Sequence, residues 1–372
     1  MQSTTKFVGL DVSKEKISVA IADVSGEAPR YYGNIPHTPA ALRKLIKELG
    51  AAETLSFCYE AGPTGYETYR WITSMGAHCA VIAPSLIPKR SGDHVKTDRR
   101  DAEQLARLYR AGELTPVYVP EREDEALREL VRAREAAKED AHRARQRILK
   151  FLLRHQIERP ATIKRRWTKK YRVWLGQLTF PYESMHVAFS EMLHALDEIE
   201  QRMGRLEKAL VQQAATGSKA SLIQALQSLR GIGLLTAITL AAEIGTFARF
   251  RSPAQLMAYL GLVPREYSTG LSTRRGSMTK AGNGRLRRTL VESAWSYRHR
   301  PAVKGDLAKR LDGMPADVQL LSWKAQERLH YKYRHLVFGK NKHKNVAVGA
   351  VARELIGFIW AVARTVEQPA AS

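Results

Sequence analysis

A heptad seam in the middle of the sequence constrains the fold more than any other feature. Apolar residues recur there in alternating steps of four and three without a break. They are Met185, Phe189, Met192, Leu196, Ile199, Met203, Leu206 and Leu210. This spacing predicts a long α-helix whose apolar stripe must pack against another helix. The partner is either a helix of the same chain, in an antiparallel hairpin, or a helix of a second chain, in an intermolecular coiled coil.

A second long helix is predicted before the seam, at Glu121–His155, where apolar residues recur three or four positions apart. Between the two helices, the segment Ile163–Arg172 contains six Lys or Arg residues together with Trp167 and Tyr171. Such a mixture can contact phosphates and stack on unpaired bases. The residues expected to bind nucleic acid there are Lys164, Arg165, Arg166, Trp167, Lys169 and Lys170. The alternative is a solvated loop whose aromatic rings pack into the neighbouring helices.

The N-terminal sequence predicts an α/β domain. Three short apolar runs come first, and strands then alternate with helices. The predicted strands are Phe7–Asp11, Ile17–Ala22, Arg30–Asn34, Leu55–Tyr59 and Cys79–Ala83. Thr38 and Pro39 supply an N-cap and a first-turn proline for a helix that runs to Leu49.

The charge balance predicts a polyanionic partner. The 372 residues include 60 Lys or Arg and 37 Asp or Glu, for a net charge of +23, and nucleic acid is the commonest polyanion. Membrane binding is disfavoured because no segment ranges Lys and Arg opposite an apolar aromatic face, and a membrane span is disfavoured because charged residues interrupt the apolar stretch Val346–Val366. No signal peptide is evident, and Cys58 and Cys79 lie in apolar runs, which favours a cytoplasmic protein without disulfides or zinc clusters.

Two carboxylates follow predicted strands at the point where each strand meets solvent. Asp11 ends the first strand, and Glu60 follows Leu55–Tyr59. Carboxylates at the ends of neighbouring strands can share a cation, and oxygen ligands suit Mg²⁺ or Mn²⁺. The pair therefore suggests metal-dependent phosphodiester chemistry.

Asp98 and Asp101 complete this predicted acidic site. Thr97 is a plausible N-cap, so the two aspartates lie three residues apart on one face of a helix. For either residue alone, the alternative is an aspartate that merely complements the helix dipole. Four carboxylates in a chain this basic would repel DNA unless a metal neutralised them, which favours the metal interpretation.

The sequence from residue 216 onward is predicted to be mostly helical. Leu229–Gly233 precedes the apolar helix Leu234–Ile244 and is similar to a helix-hairpin-helix turn, in which backbone N–H groups approach a phosphate. The alternative, which the short motif alone slightly favours, is that the two glycines merely end one helix and begin the next. Basic residues expected to contact nucleic acid follow: they are Arg274, Arg275, Lys280, Arg285, Arg287 and Arg288. Basic and aromatic residues also alternate in Tyr331–Lys344, which suggests a role in nucleic-acid binding or assembly.

Several motifs in this order resemble the DEDD transposases of bacterial insertion sequences, the family that includes the Piv invertase. They are Gly9–Ser13 (GLDVS), Tyr59–Gly62 (YEAG), Lys96–Ala102 (KTDRRDA), Leu229–Gly233 (LRGIG), Tyr259–Pro264 (YLGLVP), Arg265–Gly270 (REYSTG) and Gly276–Arg288 (GSMTKAGNGRLRR). The resemblance implies an RNase H-like, RuvC-like domain at residues 1–118. A helical coiled-coil domain at 119–215 and a helical transposase domain at 216–372 would follow it.

The same resemblance implies a mechanism and partners. Asp11, Glu60, Asp98 and Asp101 would bind divalent metal, and a serine of the C-terminal domain would attack DNA to form a covalent intermediate in a dimer or tetramer. That serine corresponds best to Ser268, in a loop that follows a helix and a proline, with Thr269 and Ser272 close by. A structured noncoding RNA would select the donor and target DNA. An alternative function is that of a RuvC-like, structure-selective endonuclease that uses activated water. A third hypothesis is a nucleic-acid-binding protein without catalytic activity.

Overall fold

The computed structural model describes residues 5–88, 97–269 and 272–367. The chain forms two compact units, Met1–Pro120 and Glu121–Ser372. Two residues of the motifs named above, Lys96 and Gly270, lie outside the described residues.

The first unit is built on a mixed sheet of five strands in the order β3-β2-β1-β4-β5. The strands are β1 (Lys6–Val12), β2 (Lys16–Asp23), β3 (Arg30–Pro36), β4 (Leu55–Glu60) and β5 (His78–Ile82). The first three are antiparallel neighbours, whereas β4 runs parallel to β1 and β5 parallel to β4. This mixed sheet with helices is consistent with the RNase H-like α/β class predicted from the sequence.

Three helices accompany the sheet: they are α1 (Pro39–Leu49), α2 (Glu67–Ser74) and α3 (Asp98–Arg110). The predicted cap of α1 is present, because the Thr38 side chain accepts a hydrogen bond from the backbone N–H of Ala41 and Pro39 follows it. One apolar cluster joins β1, β2 and β4 to α1 and α2 through residues such as Leu10, Leu45 and Phe57. Both faces of the sheet are thus covered, since α3 packs on the other side.

The second unit begins with two long helices, α4 (Arg122–Arg154) and α6 (Glu183–Thr216), joined by a segment that contains the short helix α5 (Lys169–Gly176). The heptad residues Phe189 and Leu196 of α6 are buried against Ile148 and Phe151 of α4. Ion pairs also cross between the two helices, among them Arg134 with Glu207 and Arg145 with Glu200. The seam of α6 therefore packs on a helix of the same chain.

In the described residues after α6, the second unit is helical apart from one hairpin. Its elements are α7 (Ala220–Leu226), α8 (Leu234–Ile244), α9 (Pro253–Tyr259), β6 (Pro264–Thr269), β7 (Ser272–Met278), α10 (Gly284–Ala294), α11 (Asp306–Leu311), α12 (Ala316–Arg334) and α13 (Lys344–Glu367). A π-helical turn, His335–Gly339, extends α12. Within the described residues, α13 is the one helix long and apolar enough to cross a membrane, but Val351, Leu355 and Ile359 are buried in the core of this unit.

Candidate active site

A close approach between β1 and α3 sets the position of the predicted acidic residues. Gly9 lies under α3, and a Cβ atom there would collide with the carbonyl oxygen of Ala102 and the backbone nitrogen of Ala106. Only glycine leaves room for this contact. At the far end of α3, the Arg110 guanidinium donates to the carbonyl oxygen of Asp23 at 2.9 Å, so α3 runs antiparallel to β1. Its first turn consequently lies at the carboxyl end of β1.

Asp11 and Glu60 lie at the carboxyl ends of adjacent strands. The parallel register of β1 and β4 pairs Gly9 with Cys58 and Leu10 with Tyr59. Asp11 and Glu60 are the next residues of the two strands and therefore lie side by side. Side chains two residues apart share a face of a strand. Asp11 is therefore on the face of Gly9, and Glu60 is on the face of Cys58, whose thiol contacts the Leu105 carbonyl oxygen of α3 at 3.7 Å. Both carboxylates belong to the face that α3 covers.

Asp98 and Asp101 occupy the first turn of α3. Thr97 is the N-cap, and its side chain accepts a hydrogen bond from the backbone N–H of Arg100 at 3.3 Å. Asp98 lies one helical turn before Ala102, which packs on β1, so Asp98 lies toward β1. Asp101 lies one turn before Leu105, which contacts β4, so Asp101 lies toward β4. All four predicted acidic residues are thus gathered at one edge and on one face of the sheet.

Lys16, which was not predicted from the sequence, lies beside one of these carboxylates. The Lys16 ammonium lies 2.8 Å from a carboxylate oxygen of Asp98. Its hydrogen bond to Asp98 and the charge of Asp98 raise the pKa of Lys16, and the charge of Asp11 adds a smaller effect. The position of Lys16 at the end of the β1–β2 turn, close in sequence to Asp11, was the available signal. The acidic edge, formed by Asp11, Glu60, Asp98 and Asp101, therefore attracts a cation of the chain itself.

The donor set fits a hard divalent cation, although the side chains do not converge on one point. Within residues 5–88, 97–269 and 272–367, no three His, Cys, Asp or Glu side chains are close enough together to hold a metal ion. The four carboxylates supply oxygen donors only, which are the ligands that Mg²⁺ and Mn²⁺ prefer. Side-chain rotation and departure of the Lys16 ammonium would be needed to bring them around an ion.

Ser268 lies in a β-hairpin, whereas the sequence analysis placed it in a loop. Strands β6 and β7 pair with Ser268 opposite Thr273 and Thr269 opposite Ser272. The Ser268 hydroxyl is exposed and donates a 2.8 Å hydrogen bond to a carboxylate oxygen of Glu266. This contact arises because residues two apart on a strand share a face. The hairpin presents a hydroxyl with an adjacent acceptor, and Thr269 points to the opposite face.

The arginines after the hairpin are held by groups of the protein itself. Arg285 lies 3.3 Å from Glu243, whose side chain is only 3% exposed, and Arg132 of α4 lies 3.1 Å from the same carboxylate. Burial alone would raise the pKa of Glu243, but its hydrogen bond to Arg132 and the charges of Arg132, Arg128 and Arg285 outweigh it and lower the pKa. Arg285 therefore has a structural role, and its contact with nucleic acid stays a prediction.

Arg287 and Arg288, close to Arg285 in sequence, also contact other groups of the protein. Arg288 lies 3.3 Å from Glu135 of α4. The Arg287 guanidinium donates to the carbonyl oxygens of Leu260, at 3.0 Å, and of Ala281. Arg274 and Lys280 are exposed, and the side chain of Arg275 lies outside the described part of the structure. The exposed pair is thus the better candidate for phosphate contact in this segment.

The basic segment between α4 and α6 combines exposed cations with packed aromatic rings. Lys164, Arg165, Arg166, Lys169 and Lys170 are exposed. Trp167 is half-buried, with its ring edge-on to Tyr171 at 5.4 Å and the Arg145 guanidinium 5.5 Å from its centroid. Tyr171 is buried in the same cluster. The aromatic rings therefore pack against the neighbouring helices, as the alternative interpretation of this segment proposed. Phosphate contact by the cations stays a prediction.

The glycine turn before α8 has a packing explanation. Gly231 has a φ of +83°, and a Cβ atom there would collide with the carbonyl oxygen of Ser293 in α10. Both features require glycine. Gly233, the N-cap of α8, has open space where a side chain would lie. Gly231 therefore lets the turn between α7 and α8 pack closely against α10. A phosphate contact at Gly233 stays a prediction.

Comparison with known proteins identifies the class. Residues 8–157 match a DEDD transposase model of the IS110 type, and residues 223–306 match the model described as Transposase IS116/IS110/IS902 family. A putative transposase of Sinorhizobium fredii is 46% identical over 365 residues, covering 97% of this chain and 89% of the relative. The transposase for insertion sequence element IS1533 of Leptospira borgpetersenii is 33% identical over 341 residues, with 89% and 96% covered. The pilin gene-inverting protein of Moraxella bovis is 27% identical over 249 residues, with 65% and 66% covered.

The protein is thus a bacterial transposase, an enzyme that cuts and rejoins DNA. It belongs to the IS116/IS110/IS902 family of insertion-sequence transposases. The resemblance inferred from the sequence motifs is confirmed.

Proposed function

We propose that this transposase cuts and rejoins the strands of its insertion sequence through a covalent phosphoserine intermediate on Ser268. The observation that carries the proposal is the gathering of Asp11, Glu60, Asp98 and Asp101 at one edge and face of the sheet in a protein of net charge +23. An uncompensated acidic cluster would oppose DNA binding, whereas a neutralised one can accept a phosphodiester. In this proposal the cluster would supply half of the site, and the Ser268 hairpin of another subunit would supply the other half.

The four carboxylates would hold Mg²⁺ or Mn²⁺. Bound there, a divalent ion would polarise the scissile phosphate and stabilise the charge that develops on its oxygens. The chain's own residues prepare the site, because Gly9 permits α3 to approach β1 and the Thr97 cap begins α3 beside Asp11. Lys16 keeps a positive charge against Asp98 in the absence of the ion.

Ser268 is the proposed nucleophile. Its Oγ atom would attack phosphorus and lose its proton to a nearby base or water, while the bond from phosphorus to the sugar oxygen would break and that oxygen would take up a proton. In rejoining, a sugar hydroxyl would attack the same phosphorus, lose its proton and release the serine as its hydroxyl. Glu266 accepts a hydrogen bond from this hydroxyl at 2.8 Å and so orients it. A serine hydroxyl requires such activation, since it is a weak nucleophile alone.

The proposal includes partners and assembly. The exposed cations of the segment between α4 and α6, together with Arg274 and Lys280, would contact the backbones of donor and target DNA and of a structured noncoding guide RNA. The packed pair of α4 and α6 would serve as a coiled-coil arm in a dimer or tetramer, in which Ser268 of one subunit meets the carboxylates of another. The Leu229–Gly233 turn would act as a helix-hairpin-helix-like phosphate contact, and action on a bacterial chromosome would place the enzyme in the cytoplasm.

Covalent trapping tests the proposal directly. The full-length protein is incubated with plasmids that carry the element's flanking noncoding DNA, with and without the RNA transcribed from it, and protein–DNA adducts are resolved under denaturing conditions. We expect an adduct with the wild type and with Thr269→Ala but none with Ser268→Ala or Asp11→Asn. DNA cleavage without any adduct would instead favour the water-dependent nuclease. Recombination that is unaffected by withholding the RNA would contradict guidance.

A further inference from the structure

A surface at the end of α12 exposes two aromatic rings. The side chain of Tyr331 is 65% exposed and that of Phe338 is 73% exposed. Tyr331 lies in the last turn of α12 and Phe338 in the π-helical turn that follows it. Both residues lie beyond the segment 223–306 that matches the family model. π-helical turns often occur at functional sites.

These rings border an open cleft of about 520 Å³. Glu327, His330, Tyr331, Arg334, His335 and Phe338 line it. The rings of Tyr331 and His335 are stacked, with centroids 5.9 Å apart and planes 12° apart, and the Arg334 guanidinium lies 5.9 Å from the centroid of Phe338. Ligand clefts usually measure about 300–1,000 Å³. The cleft therefore offers flat aromatic faces beside both a cation and a carboxylate.

A loop rich in lysine is fixed to the same turn. Lys340 and Lys342 donate backbone hydrogen bonds, each 2.9 Å long, to the carbonyl oxygens of His335 and Leu336. The side chains of Lys340, Lys342 and Lys344 are exposed, and none forms an ion pair with another part of the chain that the structure describes. Lys332 differs, because its ammonium lies 2.8 Å from Glu354. The loop thus places free positive charge next to the exposed rings.

We propose that this surface, formed by Tyr331, Phe338 and the loop Lys340–Lys344, binds single-stranded DNA. Unpaired bases would stack on Tyr331 and Phe338, and the three lysines would contact the flanking phosphates. Glu327 would accept a hydrogen bond from an amino group on the edge of a base. The ligand is single-stranded because bases within a duplex are already stacked and leave no free face for a protruding ring. It is DNA because cutting and rejoining DNA is the activity of the family, and strand exchange separates paired strands.

The rings are tested by binding measurements on the full-length protein. Fluorescence anisotropy with a labelled 20-nucleotide single strand, the matching duplex and an RNA single strand of the same sequence compares wild type with Tyr331→Ala/Phe338→Ala. We expect the affinity for single-stranded DNA to fall about tenfold or more, because each stacked base contributes appreciably to binding. We expect duplex affinity to change by less than about twofold, since phosphate contacts remain.

Matched variants separate stacking from misfolding. Tyr331→Trp keeps a flat ring and should retain the affinity, and single-stranded DNA should quench the fluorescence of the introduced indole. Leu320→Ala removes another exposed side chain of α12, which is 52% exposed, and should leave all affinities unchanged. Replacement of Lys340, Lys342 and Lys344 by Gln should reduce the slope of log affinity against log salt concentration by up to about 2 units for the single strand.

Four outcomes would overturn the proposal. Unchanged affinity for single-stranded DNA in a folded Tyr331→Ala/Phe338→Ala variant would show that the rings bind something else. An equal loss for the duplex would show that the surface does not select unpaired bases. A loss confined to RNA, or a change of oligomeric state in light scattering without a change in DNA binding, would assign the surface to RNA or to a second copy of the chain.

Discussion

Gly9 of β1 and Ala102 of α3 meet backbone to backbone, with no space for a side chain between them. This contact determines where the first turn of α3 lies, because the helix crosses β1 at Gly9 and begins one turn earlier at Asp98. The acidic edge therefore depends on a residue that carries no functional group.

Gly9→Ala should damage the protein through this contact. The added methyl group must push α3 away from the sheet, and overpacking of this kind typically costs about 1–3 kcal/mol of unfolding free energy. Urea denaturation followed by circular dichroism measures the loss. Gly204→Ala is the control, since Gly204 lies inside α6 with nothing near its Cβ position, and alanine should stabilise that helix by about 0.5–1 kcal/mol. Equal stability of Gly9→Ala and wild type would show that α3 can move without cost.

Lys16→Met should increase the affinity of the acidic edge for Mn²⁺. The Lys16 ammonium neutralises Asp98 at 2.8 Å and must leave before an ion can use that carboxylate. Exposed ion pairs are weak because water screens them, so the gain in affinity should be no more than a few-fold. Isothermal titration calorimetry measures the dissociation constant, and Lys14→Met, in the same turn, provides the control. A weaker affinity in Lys16→Met would indicate that the lysine supports metal binding.

Glu266→Gln should slow adduct formation without unfolding the hairpin. The variant keeps a hydrogen-bond acceptor but removes the charge that faces the Ser268 hydroxyl at 2.8 Å. Hydrogen bonds to charged groups are stronger than neutral ones by an amount that corresponds to about a tenfold effect. The rate of adduct formation is compared with that of Glu139→Gln, an exposed carboxylate of α4. If both variants react as the wild type does, Glu266 has no part in orienting Ser268.

Glu243→Gln should destabilise the second unit strongly. Its carboxylate is buried between Arg132 and Arg285, and loss of a buried charged hydrogen-bond acceptor costs about 1–3 kcal/mol when its partners can still reach solvent. Chemical denaturation at neutral pH measures this loss.

The same carboxylate should make stability depend on pH. Because the folded protein lowers the pKa of Glu243 below its usual value of 4.5, the stabilisation is fully present above that pH and is lost as the pH falls through the folded pKa. Wild type and Glu243→Gln should therefore converge in stability at acidic pH. A constant difference between them down to pH 3 would contradict the charged state of Glu243.

The sequence predicted elements well wherever local patterns decide the structure. Alternating apolar runs predicted all five strands of the first unit, and Thr38 with Pro39 predicted the start of α1. The four carboxylates could be assigned to strand ends and to the first turn of a helix. Their common face could not be assigned, because it depends on the tertiary contact between Gly9 and Ala102.

The basic residues were the hardest to interpret from sequence. Arg285 and Arg288 are in a segment that also suits phosphate binding, but their partners Glu243 and Glu135 lie far away along the chain. Lys16 was missed for a related reason, since its pairing with Asp98 spans most of the first unit. A cation's partner is a property of the fold, and local charge density does not reveal it.

The central claim, that Asp11, Glu60, Asp98 and Asp101 bind a divalent ion together, is tested most directly by Mn²⁺ binding followed by electron paramagnetic resonance. The full-length protein is titrated with Mn²⁺, alone and with its flanking DNA, and compared with Asp11→Asn, Glu60→Gln, Asp98→Asn and Asp101→Asn. Asp312→Asn, an exposed aspartate of the second unit, is the control. We predict that each of the four substitutions weakens Mn²⁺ binding at least about tenfold while the control binds as the wild type does. Unchanged Mn²⁺ binding in all four folded variants would contradict the shared metal site.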